Sequence, residues 1–544
     1  MYDKLSEEET SLWPMPIEGS YQLLGGGPAT SLAPKLTHLG LSDILFMTLI
    51  MSLPREHRPW GIVTWMSGVF LLSRPALYDL TERVQNRLLD PESEEVRSLP
   101  ERERVGELVV SRERIVRTAL SATFPGNVSL RPLQNILSEA FDEERSVGWL
   151  SELLSEAGTR AGELLGEIDT SPLQNVIAAR DETFFLGQPL LLVIDPVSTV
   201  ILECTVAPDR TAETWGIVLM MAQDQGATLG GLVEDMATMY PASQKEAELD
   251  VDVQKDVWHI ERDGGKVRTS LENAAFKAIQ QVADLERKLL KKWDDDLFDN
   301  HYIQAVAQEE KAIEQYDAFC DAFTHLCDAL EVVDIRSGEI RDKDTNEWLF
   351  KETLNLLESI NHPKVTSWFK TLRNHQKQLL QYLEWLATSL NPYKDELAKT
   401  LRDPQGRTQF IRLVARIWRL RQAVINGSPH LKTSLHDSEQ FLKDAIEQYP
   451  ILKQMATQLY QILDAACRSS SMIENINGLL KRFLRARRSF NSTQTLQLYL
   501  NLFTLWHNMR VYQRGKRKGL SPYQHAGINT ESQDWLTMLG YPPL

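Results

Sequence analysis

Three acidic residues, Asp181, Asp235 and Glu474, stand in contexts that suit chemistry better than solvation. Asp181 interrupts the run Asn175-Val-Ile-Ala-Ala-Arg-Asp-Glu-Thr-Phe-Phe185, Asp235 ends Thr228-Leu-Gly-Gly-Leu-Val-Glu-Asp235, and Glu474 lies in Arg468-Ser-Ser-Ser-Met-Ile-Glu-Asn-Ile-Asn477. An acid at the edge of an apolar strand has little structural reason to be there. Carboxylate oxygen is the donor that hard cations prefer. Two Mg²⁺ about 3.5–4 Å apart supply a strong oxygen nucleophile and stabilise the entering and leaving oxygens when phosphodiesters are cut or joined. In such a site Asp181, Asp235 and Glu474 would hold the two ions between them, with Mn²⁺ as a substitute ion.

The elements that must position these acids are legible around them. The Val, Ile, Thr and Phe content around Asp181 suits a strand. Gly187 to Pro189 turn into Leu190-Leu-Leu-Val-Ile-Asp195, a continuous apolar run expected of a strand buried on both faces. Pro196, Ser198 and Thr199 reverse the chain into Val200-Ile-Leu-Glu-Cys-Thr-Val206. Asp209 or Thr211 then caps a helix through Trp215 to Ala222, and Thr228 to Asp235 is the fourth strand. Val253 to Ile260 is read as the fifth, and Thr269 to Ala466, rich in Leu, Gln, Glu, Lys and Trp at helical spacing, as an all-helical insertion.

The order strand, strand, strand, helix, strand is that of the ribonuclease H-like fold, in which the first and fourth strands lie side by side. With it, residues 175–240 and 467–525 resemble a DDE-type transposase of a bacterial insertion sequence, in the superfamily that also contains retroviral integrases. The resemblance rests on Asp181-Glu-Thr-Phe, on a second Asp at the end of the fourth strand 54 residues later, and on a helix carrying Glu474 and Asn477. The departure is the distance of 239 residues from Asp235 to Glu474, which the helical insertion accounts for. The resemblance implies hydrolysis that frees a 3′-hydroxyl at an element end, followed by attack of that hydroxyl on target DNA. A ribonuclease H-like nuclease or resolvase that only cuts, and an inactive domesticated DNA-binding regulator, are the alternatives.

Each candidate has a rival explanation. Asp195 also ends a strand and competes with Asp181 as first ligand. Glu234, next to Asp235, points to the opposite face of its strand. Ser471-Met-Ile-Glu474 has the form of a capping box, which would occupy Glu474 locally. His259, on the expected fifth strand beside Trp258, is read as a structural histidine near the site. Asn477, one turn beyond Glu474, is placed either at substrate phosphate or on a solvated face. Cys320, His325 and Cys327 read as part of an amphipathic helix rather than a zinc site.

The formal charge of −16, from 59 Lys and Arg against 75 Asp and Glu, opposes a DNA-binding reading if it is spread evenly, because duplex binding depends on neutralising phosphates. It is not spread evenly. From Asn475 to Gln524 there are ten Lys or Arg and no Asp or Glu. Lys481, Arg482, Arg485 and Arg488 are assigned to DNA, with Lys481, Arg485 and Arg488 on one helical face. A second basic face, Arg407, Arg412, Arg416, Arg419 and Arg421 around Trp418, falls in the insertion, with Arg416 and Arg419 as DNA contacts.

Two helix-turn-helix candidates precede the core. The first pairs Pro59 to Met66, through a turn at Ser67-Gly68, with Ser73 to Arg83, where Arg74 and Tyr78 would reach DNA. The second pairs Ser129 to Leu137 with Ser146 to Leu154, the later helix of each entering the major groove. The fold class is thus an α/β ribonuclease H-like catalytic core interrupted by a large all-α insertion, with N-terminal helix-turn-helix domains. Its segments are 1–90, 91–170 (second helix-turn-helix and linker), 171–268, 269–466 and 467–544. Four cysteines without CxxC spacing point to a reducing compartment. The run from Leu39 to Leu53 is too short to span a bilayer, which needs about 20 apolar residues, and the acidic start lacks a signal peptide's basic region. The expected protein is cytoplasmic and nucleoid-associated, bound to double-stranded DNA as a homodimer or larger assembly on paired ends, with no membrane partner.

Overall fold

Alternation along β1 (Val176–Phe185) organises the structure, because it sends Arg180 and Glu182 to one face of the sheet and Asp181 to the other. The computed structural model describes residues 41–54, 57–58, 61–70, 72–89 and 110–543. The acid-rich stretch Asp90 to Glu107, whose composition reads as a linker, lies outside them. The chain divides after Val109 into two units.

In the first unit, α1 (Leu41–Ser52), α2 (Ile62–Val69) and α3 (Arg74–Leu89) enclose Met47, Met51, Met66, Phe70 and Leu77. The expected turn at Ser67-Gly68 is not there. Both residues lie inside α2, and Ser67 donates its hydroxyl to Leu72 O at 2.7 Å, so the reversal comes after Val69. Ser73 does accept Ala76 N–H at 3.3 Å, with Pro75 in the first turn of α3. Residues 59 and 60 lie outside the described set.

The second unit begins with α4 (Arg112–Thr123), α5 (Leu130–Phe141) and α6 (Val147–Glu167). These share one continuous core with the sheet, so 110–170 has no core of its own. The later helix of the second candidate pair, α6, is 21 residues long and buries Leu150, Leu153, Ala157 and Ala161. Gly158 lets it approach α18 (Thr493–Met509) so closely that a Cβ would stand 2.4 Å from Leu498 O. That face of α6 is therefore a core face, not one that enters a DNA groove.

The sheet continues through β2 (Gln188–Ile194), β3 (Ile201–Val206), β4 (Leu229–Glu234) and β5 (Asp252–Lys255), in the order β3-β2-β1-β4-β5. The first three are antiparallel neighbours, and β4 and β5 run parallel to β1. Leu190 to Ile194 are wholly buried, as a two-sided strand requires. The helix α7 (Ala212–Met221) and short α8 (Tyr240–Glu246) cover one face, while α17 (Ser471–Arg487) and α18 cover the other.

Between β5 and α17 runs a largely helical segment with a second core, interrupted by a turn that the antiparallel bridge Val333–Ile340 closes. It comprises α9 (Val257–Lys291), a π-helical stretch (Phe298–Tyr302), α10 (Ile303–Ala329), α11 (Lys343–Glu358), α12 (Pro363–Leu379), α13 (Gln381–Thr400), α14 (Pro404–Ile425), α15 (Lys432–Gln448) and α16 (Ile451–Ala465). The fifth strand is shorter than its pattern suggests. Asp256 accepts His259 N–H at 3.2 Å and starts α9, so a cap ends the strand, and the helix runs unbroken through the expected boundary at 268/269. Cys320, His325 and Cys327 all sit on α10. Among the described residues no helix is long and apolar enough to cross a membrane.

Candidate functional site

Parallel pairing of β1 with β4 sets the geometry. Ala179 is in register with Val233, so Asp181 and Asp235, each two residues further on, emerge from the same face of neighbouring strands. Burial pushes the Asp181 carboxyl up to about 7, and the negative charge of Asp235 is the next largest cause; the Glu182 N–H bond and His259 oppose the rise. Two carboxylates are thus held together where only one charge sits easily. Asp235 stands just past the strand end, with Oδ1 accepting Ala237 N–H at 2.8 Å.

Across the sheet face, α17 brings Glu474 and Asn477. Asn477 donates Nδ2–H to Asp181 Oδ2 at 2.7 Å, while its own Oδ1 is buried and without a partner. The capping box expected to occupy Glu474 is not formed. Ser470, not Ser471, precedes the helix, and its hydroxyl donates to Asp256 Oδ2 instead of capping. The Glu474 carboxylate is left 3.5 Å from His259 Nε2.

His259 therefore belongs to the site, and it lies on a helix rather than a strand. Its Nδ1 is 2.8 Å from Asp256 Oδ2. Burial alone lowers its pKa, but the hydrogen bond and charge of Asp256, with Glu474 adding, outweigh burial and raise it. Asp256 is also buried, which would raise it, yet bonds from His259 and Ser470 hold it below the usual carboxylate range. Its Oδ2 accepts Ser470 N–H at 3.0 Å, and Val257 N–H reaches Arg468 O at 3.0 Å. This clasp fixes the start of α17, and with it Glu474, against β5. Sequence reading missed Asp256, although an Asp three residues ahead of a histidine at a helix start was the available signal.

Asp195, the rival to Asp181, is a turn residue. Its Oδ1 accepts Val197 N–H at 3.0 Å and its Oδ2 accepts Ser198 N–H at 2.9 Å and the Ser198 hydroxyl. It lies three residues along the ladder from the Asp181–Leu192 pair, about 10 Å away. Glu234 faces away from Asp235, as alternation requires, and is buried between Arg180 and Lys255.

The basic residues separate into two kinds. Lys481, Arg482 and Arg485 are exposed on α17. Arg488 is exposed but does not share their helical face, because it leaves the helix with φ 57°. Arg517, by contrast, donates to Val197 O, and Lys516 pairs with Asp464. The basic face of α14 is largely committed inside the insertion. Arg419 pairs with Glu331, which also takes Arg468, while Arg412 pairs with Glu339 and Arg421 with Glu439. Arg416 is half-buried against Gly338. Arg419 is therefore a structural residue. In the first unit Arg74 is exposed and bonds Thr64 Oγ1 at 2.8 Å, and Tyr78 is exposed.

Among the described residues no three His, Cys, Asp or Glu side chains stand close enough to enclose an ion. The donor set nonetheless suits a hard cation: Asp181 and Asp235 repel each other, Glu474 stands on the helix packed across β1, and Asn477 Oδ1 is buried without a partner. No protein-family model matches the chain, and no curated protein matches it.

Proposed function

We propose that the chain is a DDE-type DNA transposase built on a ribonuclease H-like core, cutting DNA at element ends and transferring the freed 3′-hydroxyl into target DNA. The observation that carries this reading is the meeting of Asp181 and Asp235 on adjacent parallel strands, with the Glu474 helix packed on β1. The strand order β3-β2-β1-β4-β5, with only β2 reversed, supports the core assignment.

Asp181, Asp235 and Glu474 would hold Mg²⁺, or Mn²⁺ in its place, which supplies an activated oxygen nucleophile and neutralises charge at the leaving oxygen. Asn477 holds one oxygen of Asp181 and so fixes the carboxylate plane. His259, anchored by Asp256, orients Glu474 through the 3.5 Å approach of its Nε2 to that carboxylate. Exposed Lys481, Arg482 and Arg485 lead away from the carboxylates along α17, a path suited to a phosphate backbone. Arg74 and Tyr78 on α3 are proposed to read element ends, with the protein acting at the nucleoid as a homodimer or larger assembly on paired ends.

The test is nicking and strand transfer with Mg²⁺ on a plasmid carrying the DNA that flanks the gene. Wild type is expected to cut and join; Asp181→Asn, Asp235→Asn and Glu474→Gln are expected to bind DNA but lose at least about 100-fold in rate, the scale of losing one electrostatic stabiliser. Asp195→Asn is expected to stay active. Cutting without joining would leave a nuclease, and binding without cutting a regulator.

A further inference from the structure

About 20 Å along α17 from Glu474, the run of helix between residues 474 and 487 at about 1.5 Å per residue, lies a groove of about 770 Å³. It is walled by the N-terminal turns of α5 and α6 and by the junction of α17 with α18. Its eighteen lining residues include Arg131, Arg487 and Arg488 and no Asp or Glu. In a protein with a formal charge of −16, a groove lined only by positive charge is a local exception.

Two features point to an anion there. The first turns of two helices, of 12 and 21 residues, open into the groove at residues 130 and 131 and at 147 and 148, whereas the Thr495 N–H of α18 is already taken by Ser492 Oγ at 3.1 Å. Their free N–H groups and dipoles favour negative charge. On α5 the Ser129 hydroxyl caps none of these donors, and Pro132 has no N–H to offer. Arg487 forms the inner wall: Nη2 donates to Val128 O at 3.3 Å, while Nε and Nη1 are buried without a partner. Beside it Tyr499, 4% exposed, turns its ring and hydroxyl toward Arg487, whose guanidinium carbon stands 5.2 Å from the ring centroid. Half-buried Arg487 has Val128 O and Tyr499 as neighbours but no carboxylate, so this wall lacks a counter-charge that a ligand would bring. Arg131 and Arg488 are exposed at the rim, and Phe490 and Tyr499 add aromatic surface.

We infer that this groove binds a backbone phosphate of the DNA strand engaged at the carboxylates, with room for the attached nucleotide. Twenty ångströms at about 3.4 Å per nucleotide places that phosphate about six nucleotides from the scissile bond. The inference rests on the strand-cutting reading for its choice of DNA over a free phosphate compound, and its test separates the two.

Fluorescence anisotropy on a short duplex compares wild type with Arg131→Gln, Arg488→Gln and the double variant, all rim changes that leave the Arg487 wall intact. Between about 50 and 200 mM salt, each lost phosphate contact should lower the slope of log K against log salt by about one. Binding should weaken several-fold per variant and about tenfold or more in the double. A neutral methylphosphonate scanned along the cut strand should weaken wild-type binding about six nucleotides from the cut and have no such effect in the double variant. An unchanged slope and affinity in the double variant overturns the inference. So does binding of inorganic phosphate or 5′-dAMP that the variants abolish while duplex affinity is unchanged. Wild type that binds DNA through these arginines but cuts nothing keeps the groove and sinks the transposase reading.

Discussion

Two adjacent acids, Glu234 and Asp235, should respond oppositely to removal of charge, because the strand turns them to opposite faces. Glu234 is 1% exposed and accepts from Arg180 Nε at 2.8 Å, from Arg180 Nη2, and from Lys255 Nζ at 2.7 Å. Glu234→Gln leaves both cations in the core with a neutral acceptor. Breaking one buried pair costs about 3–5 kcal/mol. Here two cations lose one partner, but Arg180 keeps Ser243 Oγ at 2.7 Å and Tyr240 O at 3.1 Å, and Lys255 keeps Asp235 O at 2.7 Å. Those remaining bonds hold the expected loss near about 4 kcal/mol, a large part of a typical stability of about 5–15 kcal/mol. Asp235→Asn keeps an Oδ1 for Ala237 N–H and removes a charge that pushes Asp181 up. It should be neutral or stabilising by up to about 1 kcal/mol, while abolishing DNA cutting. Urea unfolding at neutral pH reads both. At a slope of about 3 kcal/mol per molar, Glu234→Gln moves the midpoint down by more than about 1 M. Equal losses in the two variants, or a Glu234→Gln protein as stable as wild type, would refute the assignment of one acid to structure and its neighbour to chemistry.

Divalent metal should stabilise the folded chain through the same pair: at a Mg²⁺ concentration of 100 Kd the gain is about 2.7 kcal/mol, seen by thermal unfolding in wild type and absent in Asp235→Asn. His507 is fully buried, with Nε2 at 3.0 Å from Thr199 O, and burial and then the Arg510 charge lower its pKa from 6.5 to about 3. The unfolded chain therefore takes up a proton below pH 6.5 that folded His507 refuses until about 3, so stability is lost as pH falls through that window. At pH 5 the loss is about 2 kcal/mol, and His507→Gln should flatten the pH slope of the unfolding midpoint by that amount. Gly158→Ala would place a Cβ 2.4 Å from Leu498 O, a backbone atom that cannot swing aside. Forcing α6 and α18 apart should cost about 1–3 kcal/mol, and a thermal midpoint equal to wild type would show that the helices do not cross as closely as described.

What could be read from the sequence followed from local pattern. Continuous apolar runs and turn residues disclosed β1 to β4, and the placement of Asp181 and Asp235 came with them. The misreadings share a cause, which is a partner far away in sequence. Val253 to Ile260 has the content of a strand, but Asp256 caps a helix, drawn there partly by Ser470, 214 residues later. Ser471-Met-Ile-Glu474 has the form of a capping box, yet the helix is entered from Ser470, whose hydroxyl is given to Asp256. Arg419 looks solvent-facing on a helical projection because Glu331, 88 residues earlier, is invisible there. The same long-range clasp explains how 239 residues can separate the second acid from the third. Val257 N–H bonds Arg468 O, and Asp256 bonds Ser470, so the helical segment leaves and returns at one point. The entropy of closing a loop grows only logarithmically with its length. An insertion whose two ends are joined by hydrogen bonds can therefore be large without displacing the residues beyond it. Glu474, four residues past the clasp, meets the sheet as it would if the chain passed directly from β5 to α17.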